Sequence, residues 1–144
     1  MMRLSSETLH TSTVALDGRA VMIGGPSGSG KSDLALRLLD RGFVLVSDDQ
    51  TIVRKDNNRV LASAPPLIRG KLEIRGVGIV EMESIDDVPV ALFVELTSDV
   101  QRMPDDSRER LVLDVRLPLI SVDAMTASAP SKVAVALDRL GLTF

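Results

Sequence analysis

Val21-Met-Ile-Gly-Gly-Pro-Ser-Gly-Ser-Gly-Lys-Ser32 decides how the chain is to be read. An apolar run ends in Gly25-x-x-x-x-Gly30-Lys31-Ser32 and a helical pattern follows at once, the strand–loop–helix frame in which a phosphate-binding P-loop is credible. The chemistry follows from the residue types. Gly25, Gly28 and Gly30 let the backbone curl so that successive N–H groups face an anion, and Pro26, Ser27 and Ser29 complete the loop. The helix beginning near Lys31 points its positive dipole end at the same spot. Lys31 adds a mobile charge for the outer phosphates, and Ser32 a hydroxyl ligand for Mg²⁺. A chance glycine-rich turn is the competing explanation, and the complete pattern in this frame argues against it. The expected ligand is a nucleoside triphosphate or a close relative.

Composition bounds the rest. The chain has 144 residues, 44% of them apolar, which suits one domain, spanning 1–144, with a sizeable core. It has no cysteine, so disulfides, thiolate metal sites and thiol nucleophiles are excluded, and a cytoplasmic location fits. Net charge is -3 with Lys and Arg scattered, so no nucleic-acid footprint is visible. No segment approaches the roughly 18 apolar residues of a membrane span, so no membrane partner is expected. Aromatics make up 2%, which leaves an aliphatic core and little help for stacking a base beyond Phe43, Phe93 and Phe144.

Along the chain, Thr11–Leu16 reads as a strand that turns at Asp17-Gly18 into Arg19–Ile23. Ser32–Arg41 carries Leu34, Ala35, Leu38 and Leu39 at helical spacing, with Gly42 as the stop. Phe43–Val46 is a short buried strand. A turn at Lys55–Asn58 separates Thr51–Val53 from Val60–Leu61 as a second hairpin. Val88–Leu96, Arg108–Val115 and Leu117–Val122 read as further strands, and Ser131–Leu140 as a helix begun by Ser128 or Ser131 and closed by Gly141. The expected fold class is α/β, strand-rich, around a P-loop.

Asp48 and Asp49 end the strand that follows the P-loop helix. Phosphoryl transfer needs a carboxylate for Mg²⁺ and often another to take a proton from the attacking hydroxyl. A turn-starting Asp pair is the alternative, and the expectation that this strand lies beside the P-loop strand favours the functional reading. In Leu72-Glu-Ile-Arg-Gly-Val-Gly-Ile-Val80, Glu73 and Arg75 would share one face of a strand, as a metal ligand and phosphate clamp or as a plain surface ion pair. His10, read alone, is equally a solvent-exposed residue.

Order and spacing together resemble the bacterial HPr kinase/phosphorylase family. In that family a His precedes the hairpin into the P-loop, as His10 does here. The P-loop form G-x-S-G-x-G-K-S is matched by Gly25–Ser32, and R-G followed by L-V-A-D-D by Arg41-Gly42 and Leu45-Val-Ser-Asp-Asp49. A P-P pair before L-E-I-R-G-L-G-I is matched by Pro65-Pro66 and Leu72-Glu-Ile-Arg-Gly-Val-Gly-Ile79. The resemblance runs from about His10 to about Leu96 and implies a catalytic core like that of HPr kinase and PEP carboxykinase.

The resemblance implies an ATP- and Mg²⁺-dependent kinase acting on a serine of HPr, the phosphocarrier of the sugar phosphotransferase system. It implies that Lys31 binds the β and γ phosphates and that Ser32 and Glu73 hold Mg²⁺, with Asp48 also in reach. One of Asp48 and Asp49 is then the base; Asp49 is favoured, with Asp48 in support. His10 lies beside the pair, Arg75 belongs to the catalytic set, and Arg102, in Asp99-Val-Gln-Arg-Met103, best matches a further family arginine that stabilises the transferred phosphoryl.

Departures narrow what carries over. Full-length members have a separate N-terminal domain not present here, and a P-V-x-x-G-R-N segment tied to phosphorolysis. At that point this chain reads Val122-Asp-Ala-Met-Thr-Ala-Ser-Ala-Pro130. The resemblance therefore leaves both the reverse phosphorylase reaction and the family's hexamer open, and a homo-oligomer is implied only in general terms. The compact form resembles the short HPr kinases of alphaproteobacteria. Two other readings stay open: another P-loop small-molecule kinase or NTPase, and a non-catalytic module that senses ATP or phosphate.

Overall fold

The computed structural model describes residues 5–100 and 108–144. In chain order, β1 (Ser6–Leu9) passes through His10 into β2 (Thr11–Leu16), which turns into β3 (Arg19–Gly24); the P-loop then leads to α1 (Lys31–Leu39). β4 (Val44–Ser47), β5 (Thr51–Asp56) and β6 (Arg59–Ser63) follow, then a 3-10 turn at Pro66–Ile68 and a hairpin of β7 (Lys71–Ile74) and β8 (Gly78–Glu81). β9 (Val88–Leu96), the hairpin β10 (Glu109–Val112) and β11 (Val115–Val122), and α2 (Ala129–Leu140) complete the described elements. None of their helices is long and apolar enough to cross a membrane.

Among the described residues, nine strands form one sheet in the order β1-β5-β6-β9-β3-β2-β4, with β11 on β9 and β10 on β11. β9 is the hub. It runs parallel to β3 and to β11 and pairs antiparallel with β6 through Val88 and Pro89. The carboxyl ends of β3, β9 and β11 therefore gather at one edge, where a parallel α/β sheet binds its ligand. The P-loop leaves β3 at that edge.

The two faces of β3 sort as the pleat requires. Val21 and Ile23 point into a cluster with Leu34, Ala35 and Leu38 of α1 and Val133 and Leu137 of α2. Ala20 and Met22 point the other way, against Val46, Val53, Val60 and Leu117. In β9 the alternation slips, because Ala20 pairs Val90 while Val21 pairs Leu92. The extra residue, Ala91, is a β-bulge, so Ala91 and Leu92 both serve the helical side.

Local chemistry explains the boundaries. Asp17-Gly18 and Asn57-Asn58 hold positive φ at both central positions, as the tight turns of β2–β3 and β5–β6 require. Gly42, at φ 90, donates to Leu39 O at 3.2 Å, and Phe43 donates to Leu38 O at 3.3 Å. These paired bonds make a Schellman close to α1, and Phe43 packs in the cluster that holds Leu38.

Several expectations are corrected. β4 does not neighbour the P-loop strand: β2 pairs with both β3 and β4 and stands between them, because the antiparallel return of the first hairpin already occupies that edge of β3. Strand β7 ends at Ile74, so Arg75 falls in a turn with Gly76 at φ 86, and the shared strand face with Glu73 does not exist. The break between the last two strands lies at Leu113-Asp114, both at positive φ, rather than at Arg116. α2 begins at Ala129, after Ser128, with Pro130 in its first turn.

Candidate functional site

Gly25, at φ 152, opens the P-loop where β3 ends. A Cβ there would stand 2.7 Å from Ser29 Oγ and 3.1 Å from Leu96 Cβ, so the loop rests on the last residue of β9 and admits no side chain. Gly28 has nothing within 4 Å of its Cβ position and faces open space. Gly30, at φ 101, caps α1 and accepts from Leu34 N–H at 2.9 Å. Ser29 N–H donates to Pro26 O at 3.0 Å, which tightens the loop, while Ser29 Oγ is buried without a hydrogen-bond partner. Pro26 and Ser27 lie on its exposed side.

Lys31 is the electrostatic centre. It is 7% exposed, and its Nζ donates to Gly25 O at 3.0 Å and Pro26 O at 3.1 Å. Among the described residues no carboxylate pairs with it. A buried ammonium held only by carbonyls lacks a counter-ion, and an anion at the helix N-terminus is what would balance it.

The acidic pair sits at a corner made by the sheet order. β1 pairs β5 while β2 pairs β4. His10, between β1 and β2, is therefore carried alongside Asp48-Asp49-Gln50, between β4 and β5. His10 Nε2 and Asp49 Oδ1 are 2.6 Å apart, both side chains being more than half exposed. Asp48 is 7% exposed and turns inward. Its Oδ1 accepts Ser32 Oγ–H at 2.6 Å and Ser12 Oγ–H at 2.9 Å, and its Oδ2 accepts Glu73 N–H at 3.3 Å. The P-loop hydroxyl, the acid and the β7 strand are thus in one hydrogen-bonded unit.

Glu73 arrives at Asp48 by its backbone, with its own side chain exposed. Arg75 is exposed in the β7–β8 turn and makes no hydrogen bond or ion pair with any described residue. Arg102 lies outside the described residues. Arg37 of α1 donates to Ala124 O and Thr126 O, holding the loop after β11 against the helix; Ala124 Cβ in turn stands 3.1 Å from a Cβ built on Gly30.

Sequence reading missed Ser12. It is fully buried, donates to Asp48 and accepts Asp49 N–H at 3.2 Å. Around it Thr11, Thr13 and Thr51 share hydroxyl contacts of 2.8–3.4 Å, closing a buried polar corner on itself. The available signal was three consecutive hydroxyl residues, Thr11-Ser12-Thr13, inside a strand that is otherwise apolar and follows directly on His10.

Fold and site together define a strand-rich α/β domain built round a P-loop, with an acidic pair at the end of β4, one strand removed from β3, whose inner member Asp48 is bonded to the loop serine. The chain belongs to the HPr serine kinase C-terminal domain family, whose model matches residues 3–138. Over 128 residues it is 34% identical to an HPr kinase/phosphorylase of Latilactobacillus sakei, covering 80% of this chain and 41% of that protein. Over 129 residues it is 36% identical to one of Prosthecochloris aestuarii, covering 81% and 38%. The chain thus spans about two fifths of the length of these curated relatives. The solved structure of the Hpr(Ser) kinase/phosphatase from Coxiella burnetii aligns at a TM-score of 0.79 with 27% identity, over 92% of this chain and 94% of that one.

Proposed function

We propose that this chain is an ATP- and Mg²⁺-dependent protein-serine kinase whose acceptor is HPr, working in the cytoplasm. The observation that carries the reading is the Ser32–Asp48 bond of 2.6 Å, which joins the phosphate loop to the acidic corner. The names of the relatives support the acceptor.

The loop's residues suit a triphosphate. Lys31 reaches the outer phosphates once its nitrogen leaves the Gly25 and Pro26 carbonyls, and the α1 dipole holds the anion there. The partnerless Ser29 hydroxyl is a further donor inside the loop. The donor set also fits Mg²⁺: Ser32 Oγ and the Asp48 carboxylate are hard oxygens, with Glu73 alongside, and Mg²⁺ bound with phosphates needs only one or two such protein ligands. When bound, the ion neutralises charge on the phosphates. Asp49 then acts on the acceptor. Its Oδ1 is taken by His10, and Oδ2, which has no partner among the described residues, is free to receive the proton of the attacking serine. Arg75, on the exposed turn, and Arg102 are the cations assigned to the transferred phosphoryl.

Transfer of labelled γ-phosphate from Mg²⁺·ATP to HPr tests this, with Ser→Ala HPr and Lys31→Ala enzyme as controls. Labelling that disappears in both controls is the expected result, and added inorganic phosphate then probes the reverse reaction. Bound ATP with no labelling would reject HPr as acceptor and favour another P-loop kinase or a sensing module.

A further inference from the structure

We propose that Ser12 is a positioning residue that holds Asp49 in its working conformation while tying it to Asp48. The inference rests on the kinase reading above.

Asp49 sits at φ 68, a left-handed conformation that costs a non-glycine residue energy unless its surroundings impose it. Two contacts impose it. The outer one, His10 Nε2 to Oδ1, is solvent-exposed and open to competition from water. The inner one is Asp49 N–H to Ser12 Oγ at 3.2 Å, at a residue with no exposure at all. On either side the bend is pinned by Gln50 N–H to Asp48 O at 2.8 Å and by Ser47 Oγ–H to Gln50 O. These bonds fix its flanks; only Ser12, among the described residues, bonds the Asp49 backbone.

The hydroxyl serves both acids. It gives its one proton to Asp48 Oδ1 and takes the Asp49 proton on a lone pair. The two acids are not equally dependent on it. Without Ser12, Asp48 keeps the Ser32 hydroxyl and the Glu73 N–H, whereas Asp49 keeps only its exposed partner His10, and its part-buried N–H loses its one acceptor among the described residues. Loss of the hydroxyl therefore falls on the base rather than on the phosphate loop.

Steady-state kinetics of HPr phosphorylation by wild type, Ser12→Ala and Ser12→Thr tests the role. Ser12→Ala is expected to lower kcat by roughly 10- to 100-fold, part of what a general base supplies, with KM for ATP within about threefold of wild type. Ser12→Thr keeps the hydroxyl and should restore most of kcat. Exchange of the Asp49 amide, followed by NMR, should be slow in wild type and Ser12→Thr and at least tenfold faster in Ser12→Ala. An active wild type with unchanged kcat in Ser12→Ala overturns this inference alone, as does a Ser12→Ala defect that Thr does not relieve. Should Ser12→Ala fail to fold, Ser12→Cys replaces it: a weak, long donor is expected to lower kcat, and wild-type kcat overturns the role. A wild type that transfers nothing overturns the kinase reading and this inference with it.

Discussion

Ser32 and Asp48 are joined by a 2.6 Å hydrogen bond although β2 stands between their supporting strands, β3 and β4. The reach is possible because Ser32 is not on β3 itself. It lies in the first turn of α1, which packs across β2, while Asp48 projects just beyond the end of β4. One strand's width is closed by a helix start on one side and a strand end on the other.

Asp49→Asn keeps the shape of the corner and removes its proton acceptor. Nucleotide affinity should stay within a few-fold of wild type while phosphoryl transfer falls about 10²- to 10⁴-fold. Calorimetric titration of Mg²⁺·ATP beside a transfer assay checks both, and near-normal transfer would sink the base assignment.

Lys31→Ala should abolish both binding and transfer, because Lys31 is the buried charge of the loop. Gly25→Ala should weaken nucleotide binding by at least tenfold for a different reason: its Cβ would collide with Ser29 Oγ and Leu96 Cβ. Wild-type affinity in the Gly25 variant would show that the loop relaxes around a methyl group.

His10→Ala separates stability from catalysis. The His10–Asp49 pair is exposed on both sides, so unfolding free energy should change by no more than about 1 kcal/mol. Transfer should nevertheless drop about tenfold, because Asp49 loses the partner of its carboxylate. A urea melt and a transfer assay on the same preparation decide it; equal transfer in both proteins would make the contact incidental.

Gly42→Ala should do the reverse. Its Cβ would meet nothing, but φ 90 is strained for alanine, so stability should fall by about 1–2 kcal/mol. Nucleotide affinity should not change, since α1 begins at the other end. A loss of affinity would mean that the Schellman close helps set the P-loop.

What could be read in advance follows the strength of local chemistry. Asp17-Gly18 and Asn57-Asn58 announce their turns because both residue types accept positive φ. Leu113-Asp114 makes the same geometry with a leucine at φ 49, which no propensity would suggest; the pairing of β10 with β11 imposes it. β1 escaped notice because Ser6–Leu9 is a half-exposed edge whose only reason to be extended is β5 beside it. At the site, the P-loop is legible since glycine, lysine and serine are each required at a fixed spacing. Ser12 is not, because a serine in a strand has no distinctive spacing and acquires its role only when the β4–β5 connection folds over it. The Glu73–Arg75 pairing failed for a related reason: period two holds only as far as the strand does, and Gly76 ends it.

Gly25 rests on Leu96, and β3 is held in register by β9, which is made long after the glycine-rich motif in the order of synthesis. Pairings between distant parts of a chain form late. A growing polypeptide therefore carries its complete phosphate-binding motif for some time without a rigid cradle, and a chain ended before Val88 should fail to retain nucleotide in a filter-binding measurement. The motif is written early, but it becomes a binding site only when β9 arrives.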